Sequence, residues 1–534
     1  MHKNKQINRI LTSIVASMVA LSALSQDPGD RPRLVIGIVI DQLNSDCLDL
    51  LQSRFGEAGF KRLMREGAFL ENVEFDVPDL DIASGTAMLM SGAYPSVNGI
   101  QCTYVYDRKH GKPQYILADP SSMGNFTDDA YSPAAYKVST LADELRVHTS
   151  GMGYVHSLAA DPQQAILLAG HAANSAFWIN DITGNWASTT FYRTSPQILT
   201  GRNYRLPLAT RLDTMSWVPS IPLDRYPDIL SFKKYYPFRY IYSSSDRDRF
   251  RKFKKSALAN NEVTTVAIEY LNTLKLGRRG QTDMLCLGYT AAPYMYSTDG
   301  DNRVENQDLY LRLDQELGRL FAEIDKNVGM SNTLVFVAST GYYYDNTRPA
   351  ERFNIPTGEF YPERAISLLN MYLMAIYGNG QWVEGYFNRH FFLNHELIKE
   401  KKLSLDEVRA KSSELLRQMS GITAAYTFEE ILNNPASAEA RALHKSTVPA
   451  YCGDVVVEVS PGWLIMDRGN DNFDEAKLIR TNAVSTPVFI MGPTVKPQKI
   501  TTPVEATAIA PTVASILRIR SPNAAQSTPL YLGY

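Results

Sequence analysis

The sequence predicts an α/β protein built on a largely parallel sheet, and three observations carry that expectation. Residues 34–40 read L-V-I-G-I-V-I, an unbroken β-branched run after Pro32 that fits a strand buried on both faces. Further apolar runs at 284–287 and 333–338 each follow a helical stretch, the alternation of parallel strands with crossover helices. The first run ends in a carboxylate, Asp41, at the edge where such sheets place their ligands.

Residues 1–25 have the pattern of a signal peptide. Lys3, Lys5 and Arg9 form a basic start, 10–24 an apolar run, and Ala23-Leu24-Ser25 a small-residue junction, so cleavage is expected before Gln26. No Cys stands at that junction, which argues against a lipoprotein. An uncleaved anchor is the alternative, for which the run is short. The mature chain, 26–534, is expected in the periplasm or otherwise exported, with no later span.

Helices are predicted near 58–66, ending at Gly67, and near 83–90, ending in the turn 92–95. A strand is expected at 69–75 between them, a helix at 139–147, and strands at 154–158 and 165–169. Segments 176–180 and 186–192 flank Thr183-Gly184-Asn185 as a hairpin. Residues 195–250, rich in Pro, Tyr, Arg and Ser, lack periodicity and read as an irregular, cap-like insertion. Helices follow at 262–276 and 306–326, the latter with one stripe of Leu309, Leu313, Leu317, Leu320 and Ile324. Residues 364–433 mix strands and helices as a small α+β subdomain, with Ser404 and Glu407 capping a helix over 405–419. A strand at 487–491 and a helix at 508–517 return to the main core.

A net charge of -2 gives no reason to expect nucleic acid or an anionic membrane as partner. Export permits disulfides, and Cys47, Cys102, Cys286 and Cys452 allow three pairings; Cys286, inside a core strand, reads as a buried thiol. The eight histidines include no Asp-His or H-x-x-x-H pair. His390 and His395 read as surface or packing residues and His171 as a hydrogen-bonded structural one.

Six motifs, in order, cover nearly the whole mature chain: L-V-I-G-I-V-I-D-Q (34–42), S-G-A-Y-P-S-V-N-G-I (91–100), A-G-H-A-A-N-S-A-F-W (169–178), Y-L-R-L-D (310–314), L-V-F-V-A-S (334–339) and A-I-A-P-T-V (508–513). Together they resemble the alkaline phosphatase superfamily, in particular exported bacterial enzymes with a single threonine nucleophile. The resemblance implies a three-layer sandwich and two zinc ions held by about six carboxylate and imidazole ligands. Asp41 matches the first ligand. The nucleophile falls on Ile82 or, with a one-residue shift, on Asp81. An Asp-x-x-x-His pair is replaced by Pro293 and Ser297, and an Asp-His pair by Thr340 and Gly341. The last histidine has no counterpart, since none follows His444. Thr103 replaces a substrate-binding Asn, and 159–164 lacks the Lys and Arg that grip phosphate.

The leading reading is therefore an exported pseudoenzyme without cofactor, retained for binding an envelope protein or glycan or for assembly. Asp41 is then expected to cap the helix beginning near Ser45 or to bond a neighbouring amide. A rival reading is an active phosphomonoesterase or phosphodiesterase-type hydrolase with a divergent metal site, either zinc or Ca²⁺/Mg²⁺ on Asp41, Asp79, Asp81 and Asp299. Its nucleophile would come from Ser84, Thr86 or Thr340. A third is a glycan-binding module whose cleft gathers Asp41, Thr103, Tyr294, Tyr296, Tyr342 and Tyr343.

Overall fold

The structure is a computed structural model and describes residues 31–192, 197–230, 233, 235–297, 301–344, 357–467, 477–478 and 484–533. The segment expected to be a signal peptide, 1–25, and Asp299 lie outside the described residues. Every side chain of the Leu34–Asp41 strand is buried, because the strand lies mid-sheet with helices on both faces. Leu34, Ile36, Ile38 and Ile40 join one core with the helices Ala257–Thr273 and Arg303–Asn327. Val35 and Val39 join a second core with the helices Ile82–Ser91 and Ile509–Leu517. The result is a three-layer α/β sandwich.

Five neighbouring strands run parallel in the order Thr333–Ser339, Leu34–Asp41, Asp283–Thr290, Val155–Ala159, Ser175–Ile179. Antiparallel strands extend both sides, Thr486–Met491 beyond the first and Trp186–Thr189 beyond the last. Register places Asp41 opposite Thr290 and Ile40 opposite Ser339. Three loops, after Asp41, Thr290 and Ser339, thus leave the same sheet edge side by side. Alternation along the strand puts Asp41 on the face of Val35 and Val39, toward the Ile82–Ser91 helix.

Two expectations need correction. The run at 165–169 is helical, part of Pro162–Ala169. Pro162 follows Asp161 as a helix-start pair, and the apolar run is continuous because the helix is buried, not because it is a strand. The small subdomain outruns 433. Its four-stranded sheet pairs Val383–Phe387, His390–Leu393, Val455–Val459 and Ile422–Thr427, and Glu359–Phe360 pairs with Leu464–Ile465. The valine-rich strand Val455–Val459 completes the subdomain core instead of rejoining the main sheet. Among the described residues, the stretch expected as an insertion, 195–250, holds short helices and a two-stranded ribbon, and a further helix runs on as Arg249–Lys254. None of the four cysteines is joined to another in a disulfide.

Candidate functional site

Asp41 is 3% exposed, and among the described residues it forms no ion pair. Its Oδ1 accepts hydrogen bonds from the Tyr342 hydroxyl at 2.7 Å and the Thr340 hydroxyl at 3.0 Å. Thr340 Oγ1 in turn accepts the Gln42 N–H at 2.9 Å. Burial pushes the Asp41 carboxyl up to about 6, against the lowering effects of Lys255 and the two hydroxyls. Asp41 caps no helix: Asn44 does, its side chain accepting the Asp46 N–H at 2.7 Å at the start of Ser45–Leu51. The strand places Asp41 too far back to reach those amides, and Thr340 and Tyr342 lie across from it on the neighbouring loop.

Asp81 caps the Ile82–Ser91 helix. Its Oδ1 accepts the N–H groups of Ala83 and Ser84 at 3.0 and 2.9 Å, and its Oδ2 the Thr103 N–H at 2.5 Å. Ser84 Oγ accepts the Asp81 N–H at 2.9 Å, closing a capping box. Ile82 is the buried first residue of the helix. Thr103 therefore contributes its backbone to Asp81, while its neighbours Cys102 and Tyr104 line the cleft. The three alternative nucleophiles are all buried and engaged: Ser84 in the capping box, Thr86 donating to Ile82 O at 2.6 Å, and Thr340 on Asp41. Of the oxygen-only metal set, Asp79 pairs with Arg389 and Asp81 accepts backbone amides, so both carboxylates are already engaged.

A cleft of about 470 Å³ opens over this edge, lined by Gln42, Asp79, Asp81, Lys255, Pro293, Tyr294, Ser297, Tyr344 and Arg389 among others. The expected gathering of tyrosines is only partial. Tyr294 lies on the wall, but Tyr296 is off it, its ring 5.7 Å from those of Tyr294 and 5.7 Å from Lys252 Nζ. Tyr342 lies against Asp41, whereas Tyr343 lines a separate cavity of about 290 Å³ with Cys47 and Tyr310. Successive side chains leaving an extended strand point to opposite faces, so two adjacent tyrosines cannot share one crevice. Tyr344, Tyr104 and Tyr386 supply cleft aromatics instead.

Two cleft cations come from distant segments. Lys255 bonds Asp161 at 3.2 Å, and Asp161 raises its pKa. The buried Lys254 joins Asp161 at 2.7 Å and Asp181 at 2.5 Å. Segment 159–164 thus presents an acid where a basic grip is missing, and neutralises the lysines it recruits. Arg389, 4% exposed, forms ion pairs with Asp79 and with Glu458 at 2.5 Å. Nothing local to the R-K-F-K-K run (251–255), or to the subdomain turn holding Arg389, signals that either reaches this edge.

The positions that the resemblance assigns to the zinc ligands do not fit two zinc ions. Pro293 has no donor atom, and the Ser297 hydroxyl bonds Asp301 O at 3.0 Å. Gly341 has φ +90, and a Cβ there would come within 2.4 Å of the Phe75 ring, so an imidazole at this position has no room. The described histidines bond elsewhere: His171 with Asp143 and Tyr136 O, His390 with Gly453 N, His395 with Asp454, His156 with Ser175, His444 with Ile431 O, His110 with Asp107 and His148 with Arg31. Among the described residues no three His, Cys, Asp or Glu side chains form a metal-holding group.

The parallel sheet, its two helical layers and the loops after Asp41, Thr290 and Ser339 define an alkaline-phosphatase-superfamily fold. The chain belongs to the type I phosphodiesterase/nucleotide pyrophosphatase family, which it matches across residues 35–484. It is 26% identical to the alkaline phosphatase PafA of Elizabethkingia meningoseptica over 97% of each chain. Alkaline phosphatase PhoV of Synechococcus elongatus is 27% identical, over 92% of this chain and 91% of the relative. The crystal structure of wild-type PafA superposes with a TM-score of 0.79 at 25% identity, covering 94% of this chain and 98% of that one.

Proposed function

We propose that this chain is a non-hydrolysing member of its family, an exported protein that keeps the phosphatase scaffold to bind or assemble with an envelope partner. One observation carries the reading: the carboxylate expected to ligate zinc is buried and bonded by the Tyr342 and Thr340 hydroxyls. A hydroxyl pair satisfies a carboxylate without a cation. The lack of a donor at Pro293, and of space at Gly341, supports the same reading.

The test is hydrolysis of p-nitrophenyl phosphate and bis(p-nitrophenyl) phosphate by the mature chain with zinc supplied. The expected rates equal those of buffer and are unchanged in Asp41→Asn. Turnover that Asp41→Asn abolishes would make this protein an enzyme and overturn the proposal.

A further inference from the structure

The whole-chain charge of -2 conceals a local reversal. Residues 233–255 hold nine Lys and Arg against two Asp, interleaved with seven Tyr and Phe. Most of these cations are engaged, as Lys254 and Lys255 are with Asp161. Arg239 and Arg247 form no ion pair among the described residues, and both are exposed.

Arg239 precedes a two-stranded ribbon in which Tyr240 pairs with Trp217 and Ile241 with Ser216. One face of the ribbon is fixed to the protein. Trp217 is fully buried, with Phe238, Tyr240 and Tyr294 rings 5.1, 5.7 and 5.0 Å from its own. Strand alternation turns the intervening side chains the other way. Ile241 is accordingly 64% exposed and Val218 38%, with Arg239 two residues before Ile241 and, continuing the register, opposite Val218. The approach to the ribbon adds Tyr235 and Tyr236, 81% and 77% exposed. Single exposed apolar residues are ordinary, but here several large ones lie close in sequence with a cation among them, on a ribbon backed by buried aromatic rings.

We propose that this ribbon face docks the protein on an anionic lipid surface. Tyrosine rings suit the headgroup level, where one end is apolar and the other wet, and Ile241 and Val218 suit the acyl boundary beneath. Arg239 supplies the attraction to acidic headgroups. A sugar polymer would match the charge but gives no place to an exposed isoleucine and valine, so lipid is the occupant the surface favours.

The test is co-sedimentation of the mature full chain with phosphatidylglycerol-containing vesicles and with pure phosphatidylcholine vesicles. Binding is expected to the anionic vesicles only and to fall as salt rises. Arg239→Glu reverses one charge and should weaken it about 30-fold. Tyr235→Ser/Tyr236→Ser/Ile241→Ser should abolish it, with the melting temperature kept because all three side chains are exposed. Absence of binding to anionic vesicles overturns the proposal, as does a triple variant that folds and binds like the parent. Capture by soluble dextran sulfate without vesicle binding assigns the face to a polyanion instead, and a dimer lost in the triple variant assigns it to a second copy. Either result refutes lipid docking.

Discussion

Replacing Asp41 with Asn separates a buried acid from a metal ligand. The carboxyl stands at about 6 in the folded chain because burial penalises its charge; in the unfolded chain it returns to about 3.9. A carboxyl raised on folding contributes stability that is complete below the unfolded pKa and is lost as pH rises through the folded one. Linkage over that interval costs the parent about 2 kcal/mol between about pH 4.5 and about pH 7.5, and the full shift is worth about 3 kcal/mol. Asp41→Asn has no such term. Any fixed cost of the amide, such as an unpaired N–H, is the same at both pH values and cancels in the difference. Urea unfolding of both proteins at the two pH values should therefore show the variant gaining about 2 kcal/mol on the parent as pH rises. A variant that loses ground toward neutral pH would refute the reasoning, because a carboxylate holding a cation stabilises most when ionised.

Tyr342→Phe removes the 2.7 Å hydroxyl donor, so the Asp41 pKa should climb further and stability at about pH 7.5 should fall by about 1.5–3 kcal/mol, much less at about pH 4.5. Arg389→Met leaves Asp79 and Glu458 facing each other without their shared guanidinium and should cost about 3 kcal/mol in urea unfolding, more than an exposed pair would. Gly85→Ala places a Cβ at 2.1 Å from Thr340 O and should lower stability by about 1–3 kcal/mol, shifting the loop that holds Thr340 against Asp41.

Strands and crossover helices of the main layer were legible because burial on both faces leaves continuous apolar runs, as in Leu34–Asp41 and Thr333–Ser339. The same continuity misled at Pro162–Ala169, where full burial erases the helical period. The edge position of Asp41 and the structural bonding of His171 could be read from motif and context. Its partners could not, because Tyr342 and Thr340 lie some 300 residues away and only the register of two parallel strands brings them together. Lys255 and Arg389 were missed for the same reason: long-range placement leaves no local pattern. Tyr343 shows the reverse error, since adjacency in sequence suggested a shared crevice that strand geometry divides.

Metal content tests the central claim most directly. Mature protein, expressed with zinc in the medium, dialysed and subjected to elemental analysis, should carry no stoichiometric zinc, and EDTA should leave its melting temperature unchanged, since stripping an ion removes only the stability that ion supplied. Two equivalents of zinc retained through dialysis, with a fall in melting temperature on chelation, would contradict the account.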